Sequence, residues 1–262
     1  MFDLSQTAAV KTQYATADRL STRISIHSKY STNKQGFGNW ICSHYQIGAG
    51  MRVLELGCGT GEMWRGQDDM ISRCSALVLS DLSEGMLKKA KETLGEKKNV
   101  AYQVIDIQSI PYPDHSFDAV IANMMLYHVP NLEKGLSEVR RALKPDGAFY
   151  CATYGENGMM ACVCDMFRDY GILNQTNKSF TLQKGESKLK QFFDSVQQYL
   201  YDDALAVTNV DDMTDYIFSL TGMSALQKLP RETVRAVLAA NMKDGVLRIP
   251  KEYGMFISTV SA

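Results

Sequence analysis

Val53-Leu54-Glu55-Leu56-Gly57-Cys58-Gly59-Thr60-Gly61 is a short apolar run that breaks into three alternating glycines. The run has the length of a buried strand, and glycines directly after it permit a tight turn and a close approach of backbone to a ligand at a helix N-terminus. Cys58 lies inside that turn, so its backbone belongs to the same candidate ligand loop. Twenty residues after Gly61, at the end of a second apolar run, stands Asp81, placed where a carboxylate can accept hydrogen bonds from ribose hydroxyls. The pair is more informative than either part.

Outward from the loop, apolar runs alternate with helical patterns. Strands are expected at Met51 to Leu56, Ala76 to Ser80, Val100 to Ile105, Phe117 to Ala122 and Ala148 to Thr153, with a last one at Tyr253 to Val260. Between them, Met86, Leu87, Ala90 and Leu94 share one helical face, as do Leu132, Leu136, Val139 and Leu143. Strand and helix in alternation predict an α/β fold, a parallel sheet covered by helices on both faces. Before the core, Ser5 to Tyr30 reads as a polar helix ending in the turn-rich Ser31-Thr32-Asn33-Lys34, which looks like a hinge, and Asn39 to Tyr45 as a further helix. After Tyr154 the rhythm breaks: Met159 to Tyr170 reads as a helix, Gly171 to Lys188 as a loop, and Phe192 to Val207 as strand-like alternation. Asp211 or Asp212 is expected to cap one helix and Pro230 to open another.

The implied organisation is a helical lid over residues 1–50, a core over 51–154, an insertion over 155–190 that forms part of the acceptor site, and strands six and seven within 191–262. The 28 basic and 29 acidic residues balance to a net charge of −1, which gives no support to a nucleic-acid partner. No apolar stretch approaches the roughly 20 residues of a spanning helix. The N-terminus lacks a positive region followed by an apolar one, so a secretory signal is not expected and the cytoplasm is the default compartment. Six scattered cysteines without paired C-x-x-C spacing predict free thiols and no metal site.

The loop is not the dinucleotide fingerprint, because Glu62 takes the place of its third glycine and would oppose a pyrophosphate. Glu55 adds negative charge, so a cationic ligand without phosphate fits better. The stretch Val53 to Gly61 closely resembles motif I of the class I S-adenosylmethionine-dependent methyltransferases. The resemblance continues through Asp81-Leu82-Ser83-Glu84-Gly85-Met86, Pro111 to Asp118 and Arg141 to Gly147, spanning about Met51 to Tyr154. It implies a Rossmann-like, seven-stranded, mostly parallel sheet with an antiparallel final strand, and a small-molecule enzyme. It implies that Gly57, Gly59 and Gly61 line the methionine half of S-adenosylmethionine while Glu55 helps hold its ammonium group. Asp81 would bind the ribose, Leu82 and Met86 flank the adenine, and Asp106 and Ile107 meet its edge. Asn123 would face the sulfonium.

In-line attack on a sulfonium methyl needs positioning and exclusion of water more than acid–base chemistry. A hydroxyl or acidic carbon would want a base, and His128, just past strand four, is the candidate. Met124-Met125-Leu126 stands where amino-directed enzymes carry a Pro-Pro-Tyr clamp, which weakens nucleic-acid and protein acceptors. Tyr14, Tyr30, Tyr127 and Tyr154 are the candidate acceptor contacts, with Met159, Met160, Phe167 and Phe180 as an apolar wall. The rival readings are an NAD-dependent oxidoreductase on the same sheet and a non-catalytic S-adenosylmethionine-binding module. Oligomeric state is not readable from the sequence.

Overall fold

The computed structural model describes residues 25–220 and 223–260. Seven strands form one sheet: β1 (Arg52–Leu56), β2 (Ala76–Asp81), β3 (Val100–Val104), β4 (Phe117–Ile121), β5 (Leu143–Tyr154), β6 (Ser195–Val207) and β7 (Leu247–Thr259). Their order is β3-β2-β1-β4-β5-β7-β6. The β1, β2, β3, β4 and β5 ladders are parallel, and β5 pairs antiparallel with β7, from Ala148 opposite Thr259 to Tyr154 opposite Tyr253. The alternation predicted the parallel α/β core, and the antiparallel β7 makes it the Rossmann-like, mostly parallel sheet that the resemblance implied. Its order reverses between β1 and β4, and in such sheets that reversal opens a crevice at the carboxyl ends of the strands.

The chain divides into two compact units. The larger comprises Phe37–Gly155, Asn177–Tyr201 and Tyr253–Ala262. Within it the period of two in the strands sorts side chains to two cores. Leu54, Leu56, Val78, Val120, Phe149, Cys151 and Phe256 join one cluster with Leu136, Val139 and Leu189. Those three come from the helices Leu132–Ala142 and Leu182–Leu189. Val53, Leu77, Leu79, Ala119, Ile121, Tyr150 and Met255 join the other, with Ile41, Ile71, Leu87 and Ala90. These last come from helices α1 (Phe37–Ser43), α2 (Asp68–Arg73) and α3 (Glu84–Leu94). Glu55, two residues on from Val53, consequently projects to the α1 and α2 side.

Of the described residues, the smaller unit takes 25–36, 156–176, 202–220 and 223–252. Its core includes Ile26, Met159, Phe167, Leu205, Met213, Ile217, Val234 and Ile249. Residues 25–30 are helical. The run read as a hinge is pinned instead: Thr32 N–H donates to Ala204 O at 2.9 Å, and Asp203 accepts from Ser31 Oγ and from the Asn33 N–H. Lys251 pairs with Asp203 and reaches Ser31 Oγ at 2.9 Å, with the two ionic side chains 3% and 0% exposed. Removing one partner of such a pair would strand a buried charge, which makes this an anchor.

The units cut the chain differently from the linear division at 50, 154 and 190, because long-range packing, not order along the chain, decides them. Phe167 packs in the smaller unit's core and Phe180 in the larger's, both fully buried, so neither offers an exposed acceptor wall. Both β5 and β7 start earlier than expected, at Leu143 and Leu247, and run through Pro145 and Pro250. The helix Val210–Ser219 is capped by Asn209, whose side chain accepts the Asp211 N–H, not by either aspartate. Leu182–Leu189 is helical inside the expected loop, its apolar residues too few to mark it.

Gly185, on that helix, lies against the buried Phe256 ring: a Cβ there would stand 2.4 Å from Phe256 Cε2. Gly185→Ala is expected to destabilise the fold by about 1–3 kcal/mol through overpacking, read as a lower urea midpoint at unchanged slope.

Candidate active site

Strands β1, β2, β3 and β4 deliver the sequence-predicted residues to one end of the larger unit's sheet. The loop after β1 is tied to its neighbour: Cys58 N–H donates to Ser80 O at 2.8 Å and Gly59 N–H to Asp81 Oδ2 at 3.0 Å. The other Asp81 oxygen accepts the Ser83 N–H at 2.9 Å. Each carboxylate oxygen keeps a free lone pair, so a carboxylate fixed by two backbone amides can still accept from two hydroxyls. Ser83 in turn caps α3 through Met86 N–H.

The loop glycines differ in what they require. Gly57, at φ 74, lies under Met125, and a Cβ would meet Met125 Cγ at 2.9 Å. Gly59, at φ 55, has nothing within 4 Å of a Cβ position and is the glycine that leaves open space for a ligand. Gly61 packs on Ala90 and Leu94 of α3. The Cys58 side chain is buried in the core and its thiol is pushed up by burial, so it can meet a ligand only through its backbone.

Glu55 is 1% exposed; its backbone carbonyl accepts from Ser80 Oγ, and the one hydrogen-bond partner of its carboxylate among the described residues is Trp64, whose Nε1 donates to Oε2 at 2.6 Å. Burial pushes the carboxyl up to about 7, the Trp64 hydrogen bond works against that, and the charge of Asp81 adds to it. A buried acid with no cation against it, beside an open glycine turn, fits a ligand that brings its own positive charge, which is how S-adenosylmethionine's ammonium group would be held. Sequence reasoning missed Trp64. Its signal was its place three residues past Gly61, in a 3-10 turn, where an indole can reach back under β1.

Asn123 follows β4. Its Oδ1 accepts the Ala152 N–H at 3.2 Å and its Nδ2 donates to the hydroxyl of Tyr45, another residue the sequence did not mark. Met124 then takes φ 53, a left-handed conformation uncommon for methionine, and turns the chain into the 3-10 turn Leu126–His128. Here the Tyr127 ring lies 4.5 Å from His128 and 4.6 Å from Tyr154, measured between centroids. Asn177 Nδ2 and Ser179 Oγ donate to Tyr127 O, and Tyr154 hydroxyl donates to Asn177 O. Burial lowers the His128 pKa from 6.5 and pushes Tyr154 up to about 12.

Of the adenine-side candidates, Leu82 stands 43% exposed next to Asp81, whereas Met86 and Ile107 are buried. Asp106, two residues past β3, accepts from the N–H and side-chain amide of Gln108. Tyr30 belongs to the smaller unit, where its hydroxyl donates to Asp212 beside Lys29. Tyr14 lies outside the described residues. Among the described residues no three metal-ligating side chains gather, and no helix is long and apolar enough to cross a membrane. All six cysteines are free thiols.

A family model described as a methyltransferase domain matches residues 54–151. The ubiquinone/menaquinone biosynthesis C-methyltransferase UbiE of Hydrogenovibrio crunogenus is 26% identical over 190 residues, 70% of this chain and 74% of its own. The Yersinia enterocolitica protein of that name is 35% identical over 101 residues, 37% of this chain and 40% of its own. Among solved structures, phosphoethanolamine N-methyltransferase 2 of Haemonchus contortus, in complex with S-adenosyl-L-methionine, superposes with a TM-score of 0.58 at 18% identity, over 93% of this chain and 57% of that one. The YcgJ protein of Bacillus subtilis gives 0.57 at 17%, over 86% and 97%. At such identities the structures speak for the fold.

The Trp64 indole stabilises the ionised form of Glu55, so Trp64→Phe is expected to move that carboxyl above 7 in a carbon-13 NMR titration. The ordinary value is 4.5, so the raised group binds its proton more tightly when folded; the fold loses stability as pH climbs from 4.5 to 7 and carries the full cost above 7. The variant's deficit, about 1–3 kcal/mol at pH 8, should narrow by pH 5.

Proposed function

We propose that this chain, which belongs to the class I S-adenosylmethionine-dependent methyltransferases, passes the methyl group to a small-molecule acceptor whose attacking atom must first lose a proton. The observation that carries the reading is the Asp81 carboxylate, turned onto the glycine loop by the Gly59 N–H and held from the other side by Ser83. Such a clamp sets a sugar against the β1 turn, and Glu55 faces the charged end of the same ligand. S-adenosylmethionine supplies a methyl group already activated by its positively charged sulfur.

The chain's own residues then have three tasks. Asp81, Glu55 and the turn at Gly59 fix the donor. Tyr127 and Tyr154 give the acceptor an aromatic wall, with Met125 beside the loop. His128 is the base: burial keeps its imidazole neutral at pH 7, so a ring nitrogen is free to take a proton from a hydroxyl or an acidic carbon. Relatives named as C-methyltransferases of ubiquinone and menaquinone biosynthesis favour a carbon acceptor over an amine. Neither rival reading gains an observation of its own.

Titration calorimetry of the purified chain with S-adenosylmethionine and S-adenosylhomocysteine tests the reading, and absence of binding to either overturns it. Asp81→Ala should weaken both by about a hundredfold, the worth of two hydrogen bonds to a charged acceptor.

His128→Ala should cut turnover by about a hundredfold or more and leave S-adenosylmethionine affinity within about twofold. The acid limb of kcat in the wild type should lie below pH 6.5, since the group must lose its proton to work. Equal losses in turnover and affinity would assign His128 to packing.

A further inference from the structure

Tyr45 precedes β1 and is not part of the glycine-loop motif. Its ring is immobilised, edge-on to Tyr150 at 5.1 Å and stacked over Trp64 at 6.4 Å. Its hydroxyl reaches the tip of β4, 2.6 Å from Asn123 Nδ2. The orientation of that amide is fixed, because Asn123 Oδ1 takes the Ala152 N–H from β5. The end that faces Tyr45 is therefore the NH2 group, which can only donate. The phenol oxygen is the acceptor of this bond, and the phenol's own hydrogen must point elsewhere.

No protein acceptor takes that hydrogen among the described residues. Glu55 is near enough to act on the phenol by its charge, yet no hydrogen bond joins them. Burial and that negative charge hold the phenol's pKa well above 10, so the hydroxyl stays protonated and remains a donor. The end of the crevice between β1 and β4 thus presents an acceptor, Glu55, and close to it an unspent donor, Tyr45. An amino-acid zwitterion has the complementary pair on one carbon: an ammonium that needs an acceptor and a carboxylate that needs a donor.

We propose that the Tyr45 hydroxyl donates to the α-carboxylate of bound S-adenosylmethionine, next to the Glu55 that takes its ammonium group, with Asn123 as the residue that aims the phenol. This rests on the cofactor reading of the site given above. It adds a binding residue from outside the motif and divides the site into a nucleoside end, set by Asp81, and an amino-acid end, set by Glu55 and Tyr45.

Calorimetry with two ligands separates these ends. S-adenosylhomocysteine carries the amino-acid group, and 5′-methylthioadenosine has the same nucleoside and sulfur without it. Tyr45→Phe should weaken S-adenosylhomocysteine about tenfold or more, the worth of one hydrogen bond to a charged group, and leave 5′-methylthioadenosine within about twofold. Unchanged S-adenosylhomocysteine affinity, or an equal loss on both ligands, overturns the proposal; the latter would mark a packing role. A second arm needs no variant: the decarboxylated analogue of S-adenosylhomocysteine should bind the wild type weaker by the same factor, and Tyr45→Phe should cost it nothing further. If the wild type binds 5′-methylthioadenosine and S-adenosylhomocysteine alike, the Tyr45 assignment falls and the cofactor reading stands. If it binds neither, both fall.

Discussion

The site depends on a hydrogen bond between two strand tips, in which the Gly59 amide donates to Asp81. A glycine turn alone is a loose object, because the residue that permits its conformation also gives it the most freedom to lose on folding. Binding one of its amides to a carboxylate that is itself held by Ser83 removes that freedom before any ligand arrives. The neighbouring bond from Cys58 to Ser80 does the same one residue earlier. What results is a preorganised turn, whose ordering is part of folding and not a cost of binding.

Glu55 represents the opposite choice. Its carboxylate sits at the carboxyl end of a parallel strand, on the face packed by α1 and α2, with a single indole donor. Within the protein alone this arrangement is unfavourable, since an acid pushed up to about 7 is an acid whose charge the fold resists. It suits a site proposed to receive a cationic ligand. Local instability of this kind is expected at binding sites and not in the rest of a core.

The parallel core was readable from the sequence because its signals are local and redundant. Apolar runs of five or six residues, punctuated by Gly57-Cys58-Gly59 or by the Pro111-Tyr112-Pro113 turn, leave few alternatives. Asp81 was readable through its distance from the loop. Trp64 and Tyr45 were not, because each acts through a side chain that reaches across the fold to a partner, Glu55 or Asn123, and no spacing rule encodes such a reach. The same limit applies to Asn177 and Ser179, which reach Tyr127 from a stretch that reads only as loop. The helix cap is Asn209, two or three residues before the expected aspartates, because Asn209, Asp211 and Asp212 all flank Val210 and only geometry chooses among them. The pairing of Lys251 with Asp203, 48 residues apart, had no sequence signature at all.

The two compact units are braided along the chain: it passes from one to the other after Gly36, Gly155, Thr176, Tyr201 and Glu252. No single cut therefore releases either of them whole, and two of the crossings fall inside β6 and β7, where a break would sever a strand. The smaller unit therefore cannot be traded for another by recombination at one boundary. Change in either unit must instead come residue by residue, with the ladders of β6 and β7 kept intact.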